Sequence, residues 1–257
     1  MNQQEQGKLP ASTKKYQKIL GWLDWKIILL IVVFLWALGT DPKAPVVTMT
    51  MLGGATVTLS LFAVCFVLSI PLGLVLTLMR DSRFMVFRLF TDFYVWLLRG
   101  TPLMLQLFFI YFALPKVAVI GQFFLLSSFQ AACFAFVINY AAYFCEIFRG
   151  ALLSVDKGQY EAAKALGLGW WDTMRCIIFP QMVRVALPAV TNESVTLVKD
   201  TALVTIVGVL EITHYAKALV NTTGGKTYPY LIAAIIYLVL NDVLMRVFQW
   251  LEKKCKY

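Results

Sequence analysis

The sequence predicts an all-α membrane protein, and two observations carry that prediction. Of its 257 residues, 60% are hydrophobic and only 14% are charged, whereas soluble domains are nearer half apolar and a quarter charged. The apolar residues also come in blocks of about 20, the length that a helix needs to cross the hydrocarbon layer of a bilayer. One domain is expected, because the helices of one bundle share their packing.

The apolar blocks are six predicted membrane spans, at 22–40, 53–79, 93–113, 123–148, 195–215 and 228–250. The first is the weakest, because Asp24 and Lys26 shorten its apolar stretch, and whether it crosses the membrane fully is left open. A signal peptide is the alternative for this block. The long polar stretch before it and the lack of a nearby small-residue cleavage pattern favour a retained helix. Residues 1–21 and 252–257 are predicted tails.

The basic residues predict the orientation of the spans. The net charge is +9, which could indicate nucleic-acid binding, but Lys and Arg lie between the apolar blocks and so fit the positive-inside rule better. They crowd the N-terminal tail, the loop after the second block, the central loop and the C-terminal end. The opposite side carries Lys43, Lys116, Lys217 and Lys226. We therefore expect both termini and the central loop in the cytosol.

The central loop, 149–190, is unusually rich in charge, glycine and proline. Residues 161–166 are strong helix formers, and Gly167 is placed to end that helix. An aromatic segment follows, and Pro180 and Pro188 are expected to break the chain before the next span. The pattern predicts two short helices with a tight corner. An interfacial hairpin without a partner is the plainer interpretation of the same pattern.

The loop also resembles a known motif. "EAAKALG", followed after ten residues by "IFP", is similar to the EAA loop of ABC importer permeases, with Phe179 where Leu is more usual. The stretches "RGTPLMLQLFFIYFALP", "NYAAYFCEIFRGALLSVDKG", "FPQMVRVALPAVTNESVTLVKDTAL" and "VGVLEI" resemble the polar-amino-acid branch of that family, in the same order. The resemblance implies a type I ABC importer transmembrane bundle over 53–251, with five core spans, and makes 22–40 an added N-terminal span.

The resemblance implies a function and a set of partners. The chain would be the permease subunit of an ATP-driven importer of polar, and among them basic, amino acids in the bacterial cytoplasmic (inner) membrane. Its partners would be a cytosolic ABC ATPase dimer, a second permease subunit (identical or a sibling) and an extracytoplasmic amino acid-binding protein. The loop residues that couple to the ATPase would be Glu161, Ala162, Ala163, Leu166 and Gly167.

Catalysis is not expected in this chain. It has no GxxxxGK[ST] phosphate loop, so ATP and Mg are expected on the separate ATPase, with no cofactor here. There is no HExxH, no GxSxG and no cluster of His or Cys, which argues against a membrane enzyme or a metal site. An ion-coupled secondary amino acid transporter is the alternative, but it gives no reason for the central loop.

Two carboxylates are the main candidates for the substrate path. Glu193 and Asp200 are seven residues apart, which places them about 10 Å apart on nearly the same face of a helix. Charges within a span are costly and are functional candidates by default. The pair could hold an ammonium or guanidinium group, or it could be neutralised in a structural network by Lys199, Arg184 or Arg99. A neutral polar substrate such as glutamine stays open.

Other polar residues within the spans complete the predicted path. Asn139 lies in the middle of a block, where its amide could meet a substrate or join two helices. Gly100 and Thr101 precede Pro102, so we expect a broken helix whose free backbone groups face a cavity. Arg99 is expected to anchor one helix to another. The role of Gln106 is left open between lining the path and bonding to a neighbour.

Overall fold

The computed structural model describes residues 25–39, 41–118 and 121–255. Every regular element in these ranges is helical, which confirms the all-α prediction. The α-helices are α1 (Trp25–Gly39), α2 (Ala44–Arg80), α3 (Met85–Gly100), α4 (Leu103–Phe108), α5 (Ser128–Leu153), α6 (Lys157–Ala165), α7 (Trp170–Thr173), α8 (Phe179–Asp200), α9 (Ile212–Thr222) and α10 (Tyr228–Cys255).

Tighter or wider helical turns extend several of these helices. A π-helical turn and a 3-10 turn continue α4 as far as Lys116. A π-helical turn, Met174–Ile178, joins α7 to α8, and a 3-10 segment, Thr201–Val207, continues α8. The separate 3-10 turn Gly121–Phe124 precedes α5.

Within the described ranges, four helical stretches are long and apolar enough to cross a membrane, namely Ala44–Arg80, Ser128–Leu153, Trp170–Val207 and Tyr228–Cys255. Met85–Gly100 and Leu103–Lys116 together make a fifth, broken by a bend of 103°. The described part of α1 has 15 residues, fewer than the roughly 20 that a straight span needs. The tail predicted at 1–21 lies outside the described residues.

The predicted spans at 53–79, 123–148 and 228–250 differ from the helices chiefly at their ends, whereas the span at 195–215 was misplaced, because its helical stretch runs from Trp170 to Val207. Helix α2 begins at Ala44, well before residue 53. Its early threonines fit a helix because Thr48 and Thr50 bond back to the carbonyls of the preceding turn, at 2.9 and 3.0 Å. Helix α10 runs on to Cys255, into the stretch predicted as a tail. The block at 93–113 is two helices, because the chain turns sharply at Pro102.

The prediction that prolines break the central loop was wrong. Helix α6 corresponds to the first of the two short helices predicted there, but the second is the start of the long span Trp170–Val207. The π-helical turn directly before Phe179 widens the helix and accommodates the missing N–H of Pro180. Pro188 lies inside α8 without ending it. The span ends after Val207, where Gly208 adopts a φ of +81°.

The centre of the bundle is the contact between α2 and α5. A Cβ added to Gly73 would lie 2.7 Å from that of Phe144, so glycine is required for this close approach. One turn further along α2, the Thr77 hydroxyl donates to the Cys145 carbonyl at 3.1 Å. Phe66 packs edge-on against Phe144, with ring centroids 6.1 Å apart. These contacts fix the helix that carries Asn139 and Tyr140.

A second apolar cluster joins α1, α2, α9 and α10 at the other end of the bundle. Next to its member Ile212 lies a fully buried carboxylate, Glu211, at the N-cap of α9. This carboxylate accepts from the backbone N–H groups of Thr213 and His214 and from the Tyr237 hydroxyl, each at 2.7 Å. The buried charge is therefore fully hydrogen-bonded and fixes α9 against α10.

Candidate functional site

A cavity of about 540 Å³ lies where the break between α3 and α4 meets α5 and α8. The five residues that the sequence assigns to a substrate path all line it, together with eight others. The path residues come from three separate stretches of chain: Gly100, Thr101, Asn139, Glu193 and Asp200. The structure brings them together in one place, and their contact with a substrate stays a prediction.

The broken helix forms one wall of this cavity. Helix α3 ends at Gly100, Thr101 is extended with φ −118° and ψ 143°, and α4 begins after Pro102. Proline has no N–H and disfavours helical geometry in the residue before it, which explains why the break occurs here. Backbone groups at the break are therefore free of helical hydrogen bonding and border the cavity.

Gln106 holds the break in place, a role that the sequence left open. Its side-chain amide donates to the Leu98 carbonyl at 2.8 Å and to the Thr101 carbonyl and hydroxyl at 3.1 and 2.8 Å. These bonds join the last turn of α3 to the first turns of α4. The side chain thus replaces helical bonds that Pro102 removes.

Asn139 ties this corner to α5. It is 3% exposed, and its amide donates to the Leu98 carbonyl and to the Gln106 side-chain oxygen, both at 3.0 Å. Both donor protons are thus used within the protein. Of the two roles left open for Asn139, the structure shows the helix-joining one, at a position that also lines the cavity.

The two carboxylates occupy the opposite wall, on α8. Glu193 and Asp200 both line the cavity and are partly buried. Asp200 accepts a hydrogen bond of 2.7 Å from the Tyr140 hydroxyl on α5. Among the ion pairs formed by the described residues, none includes either carboxylate.

Arg99 and Lys199, two of the cations proposed to neutralise the pair, form no ion pair with either carboxylate. Arg99 is at the cavity edge, but its guanidinium lies 3.6 Å from Glu146 and stacks over the Tyr143 ring at 5.2 Å. It therefore links α3 to α5, as expected of an interhelical anchor. Lys199 lines a different cavity, formed with α10, because adjacent residues on a helix do not share a face.

Three lining or supporting residues were missed or left undecided by the sequence: Gln106, Tyr140 and Tyr143. Helical spacing gave a usable signal for Tyr143, which is four residues after Asn139 and so lies on the same face of α5. Tyr140 is 1% exposed and is adjacent to Asn139 in the sequence. Helical spacing from Asn139 therefore did not indicate that Tyr140 lines the cavity.

The segment predicted to couple to an ATPase forms the short helix α6. It ends in a Schellman motif in which Leu168 N–H donates to the Ala163 carbonyl and Gly167 N–H to the Lys164 carbonyl, both at 3.0 Å. Gly167 takes the required left-handed conformation, with φ +73°. Glu161, Ala162, Leu166 and Gly167 are exposed, and Leu166 is 78% exposed.

Ala163 differs from the other four residues of that segment. It is fully buried against the bundle, so it anchors α6 rather than presenting a surface to another protein. The surface that this segment exposes is therefore smaller than the five-residue surface predicted from the sequence.

The chain matches the family of inner membrane components of binding-protein-dependent transport systems over residues 69–257. It belongs to that family. Members of this family are membrane-channel components of ABC transport systems. The comparisons therefore support the importer permease over the ion-coupled transporter. A permease of this kind is not itself an enzyme.

Individual relatives of this permease agree. It is 37% identical to the arginine transport system permease protein ArtQ of Bacillus subtilis, over 84% of this chain and 95% of ArtQ. It is 34% identical to a putative glutamine transport system permease protein GlnP of Rickettsia typhi, over 78% of this chain and 90% of that one. The octopine transport system permease protein OccM of Rhizobium radiobacter is 37% identical over 79% of this chain and 84% of OccM.

Solved structures show the same fold. A crystal structure of an amino acid ABC transporter with histidines superposes with a TM-score of 0.73 at 33% identity, over 80% of the permease and 94% of that chain. An inward-facing MetNI methionine ABC transporter superposes with a TM-score of 0.65 at 19% identity, over 84% of the permease and 99% of that chain. The type I importer fold predicted from the sequence is thereby confirmed.

Proposed function

We propose that this permease moves polar amino acids with a cationic side chain, such as arginine or lysine, through the cavity between the α3–α4 break and α8. The observation that carries the proposal is the placement of Glu193 and Asp200 on one cavity wall, where neither forms an ion pair with another described residue. Carboxylates in a partly desolvated site attract an ammonium or guanidinium group far more strongly than in water.

The opposite wall of the cavity carries groups suited to bind the backbone part of an amino acid. Apart from the Leu98 and Thr101 carbonyls, which Gln106 occupies, the break at Thr101 and Pro102 leaves backbone groups without helical partners, and such groups bind polar ligands in transporters with broken helices. The Arg99 guanidinium at the edge of the cavity is placed to attract an α-carboxylate. The names of the arginine, glutamine and octopine relatives support a polar amino acid as the substrate class.

The partners follow from the family and from α6. We infer that a cytosolic ABC ATPase dimer, which carries ATP and Mg, docks on the exposed face of α6. We also infer a second permease subunit, identical or a sibling, and an extracytoplasmic binding protein that delivers the substrate. The basic residues support an orientation with both termini and α6 in the cytosol.

Uptake by the reconstituted complex tests the substrate proposal. Vesicles containing the permease with its ATPase and binding protein would be supplied with labelled arginine, lysine, glutamine and glutamate. We expect Asp200→Asn and Glu193→Gln each to lower arginine uptake about tenfold relative to glutamine, because each removes one charge from the cavity. Asp242→Asn, which removes a carboxylate outside this cavity, should leave the ratio unchanged. An unaltered ratio in both cavity variants would remove the pair from the site.

Co-purification tests the ATPase proposal. Leu166 on α6 and Leu125 at the opposite end of the bundle are both 78% exposed, so they form a matched pair. We expect Leu166→Glu to abolish recovery of the ATPase with the tagged permease, and Leu125→Glu to leave it intact. Equal recovery with both variants contradicts docking at α6.

A further inference from the structure

Two apolar cavities outside the predicted path join into one groove on the side of the bundle. Their volumes are about 300 and 180 Å³. They share the side chains of Leu74 on α2 and of Phe179 and Met182 on α8, so the two cavities adjoin each other between these two helices. Phe148 and Leu152 of α5 line it as well. We call this space the α2–α8 groove.

The α2–α8 groove runs along the membrane-spanning part of the bundle, starting at the end that carries α6. From Arg175 to Val190 it follows the helix for about 22 Å at 1.5 Å per residue, which is enough to cover one leaflet of a hydrocarbon layer of about 30 Å. Apart from Thr77 and Arg175, the residues that line it are apolar. A strongly polar ligand would find few hydrogen-bonding partners in this groove.

The mouth of the groove has a different character. Trp170 and Trp171 line it and are 58% and 78% exposed. Exposed tryptophans at the end of a span are typical of the boundary between the hydrocarbon layer and the lipid headgroups. Their rings meet edge to face, with centroids 4.7 Å apart, so the mouth has an aromatic edge.

One cation stands at this mouth. Arg175 lines the groove and is exposed, and it forms no ion pair with any described residue. The nearest acidic residue along the helix, Asp172, has its carboxylate close to Gly169 at the start of α7. A guanidinium beside an apolar slot suits a ligand with an anionic head and a long hydrocarbon chain.

We propose that the α2–α8 groove binds an anionic phospholipid of the leaflet on the α6 side, which is the cytosolic leaflet in the orientation inferred above. One acyl chain lies between Leu74 and Met182. The phosphate of the headgroup pairs with Arg175 between the two tryptophans. The site is separate from the cavity that holds Glu193 and Asp200, so it binds lipid whichever amino acid the permease moves.

Photo-crosslinking of the complex in bilayers tests this site. The permease with its ATPase would be placed in nanodiscs of phosphatidylcholine that contain a small fraction of phosphatidylglycerol with a photoreactive acyl chain. Labelled peptides would be identified by mass spectrometry. We expect labelling on α2 around Leu74 and on α8 around Met182, and at least fivefold less labelling there with phosphatidylcholine that carries the same photoreactive chain.

Two variants locate the headgroup contact. Arg175→Gln should reduce labelling by phosphatidylglycerol to the level seen with phosphatidylcholine. Arg184→Gln, which removes a basic residue of the same helix that lines neither cavity, should not. Size-exclusion profiles must match wild type for both variants.

Three results would overturn the proposal. One is equal labelling by the two lipids. Another is labelling that Arg175→Gln leaves unchanged. The third is an absence of labelling by either lipid on α2 around Leu74 and on α8 around Met182.

Discussion

The Tyr140 hydroxyl on α5 donates a hydrogen bond of 2.7 Å to the Asp200 carboxylate on α8. Tyr140 is almost completely buried, so this bond connects the core of the bundle to a charged group on the cavity wall. It orients one of the two carboxylates, while Glu193 has no comparable bond among the described contacts. The two acidic groups are therefore held differently, and Asp200 is the more fixed of them.

We expect Tyr140→Phe to weaken arginine uptake without abolishing it. A hydrogen bond to a charged acceptor contributes about 1.5–3 kcal/mol, so its loss should raise the KM for arginine about tenfold. Tyr143→Phe is the control, because Tyr143 lines the same cavity and keeps its ring over Arg99 when the hydroxyl is removed. A KM that responds equally to both variants would show that the Asp200 contact is unimportant.

The bonds of Asn139 and Gln106 predict strong coupling between these two residues. Both donate to the Leu98 carbonyl, and Asn139 also donates to Gln106. We expect Asn139→Leu and Gln106→Leu each to cost about 1–3 kcal/mol, because each leaves buried polar groups unpaired. The double variant should cost less than the sum by about 1 kcal/mol.

Thermal unfolding of the purified permease in one detergent measures all four members of this cycle. Thr196→Val serves as the control, because Thr196 lines the same cavity but bonds to the carbonyl of Asn192 within its own helix. Additive losses in the double variant would mean that the two amides do not act as one network.

The fold was largely predictable because membrane spans are specified by composition. Apolar length and the spacing of basic residues are local properties of the chain. The break between α3 and α4 was also predictable, because Pro102 disrupts helical hydrogen bonding within its own turn and this effect is local. The prediction that Pro180 breaks the chain was wrong because its effect depends on the π-helical turn before it. No sequence pattern indicates such a turn.

The individual residues of the site could be predicted from the sequence, but their arrangement in space could not. Glu193 and Asp200 stand out as charges in an apolar stretch, and Asn139 stands out for the same reason. Their meeting with the α3–α4 break depends on how α5 and α8 pack. Contacts such as Tyr140 with Asp200 join residues 60 apart in the chain, and a single sequence does not reveal such distant pairs. The burial of Ala163 could not be predicted either, because burial on a short helix depends on the residues packed against it.

The ion pair between Asp41 and Lys226 predicts a pH dependence at the end of the bundle opposite α6. The Lys226 ammonium lies 2.6 Å from the Asp41 carboxylate and, together with the Lys43 backbone N–H, lowers the pKa of Asp41 below its usual 3.8. Asp41 in turn raises the pKa of Lys226 above its usual 10.5. Since the carboxyl pKa is lower in the folded state, its stabilisation is present above pH 3.8 and is lost as the pH falls through the folded value.

We therefore expect Lys226→Gln to lower the thermal midpoint slightly at pH 7, because Lys226 is largely exposed and such pairs are weak. The difference from wild type should disappear in strongly acidic buffer, where Asp41 is protonated. The midpoint of Lys217→Gln, a basic-to-neutral change on α9 away from Asp41, should follow wild type at every pH. A difference that persists at low pH would mean that Lys226 acts through packing.

Two adjacent glycines in α2 give a sharp test of how α2 packs against α9. A Cβ added to Gly54 would lie 2.8 Å from the Tyr215 ring and 2.9 Å from the backbone of Glu211 and Ile212. A Cβ added to Gly53 would meet nothing within 4 Å. Backbone atoms cannot rotate away, so Gly54→Ala must move α9, which also carries the buried Glu211 at its N-cap.

We expect Gly54→Ala to destabilise the permease by about 1–3 kcal/mol through overpacking. Gly53→Ala should be neutral or should stabilise by up to about 1 kcal/mol, because alanine favours a helix more than glycine does. Thermal unfolding of the two variants side by side measures the difference. If Gly54→Ala were as stable as Gly53→Ala, the close approach of α9 to α2 would not exist in the folded permease, and the position of Glu211 would need another explanation.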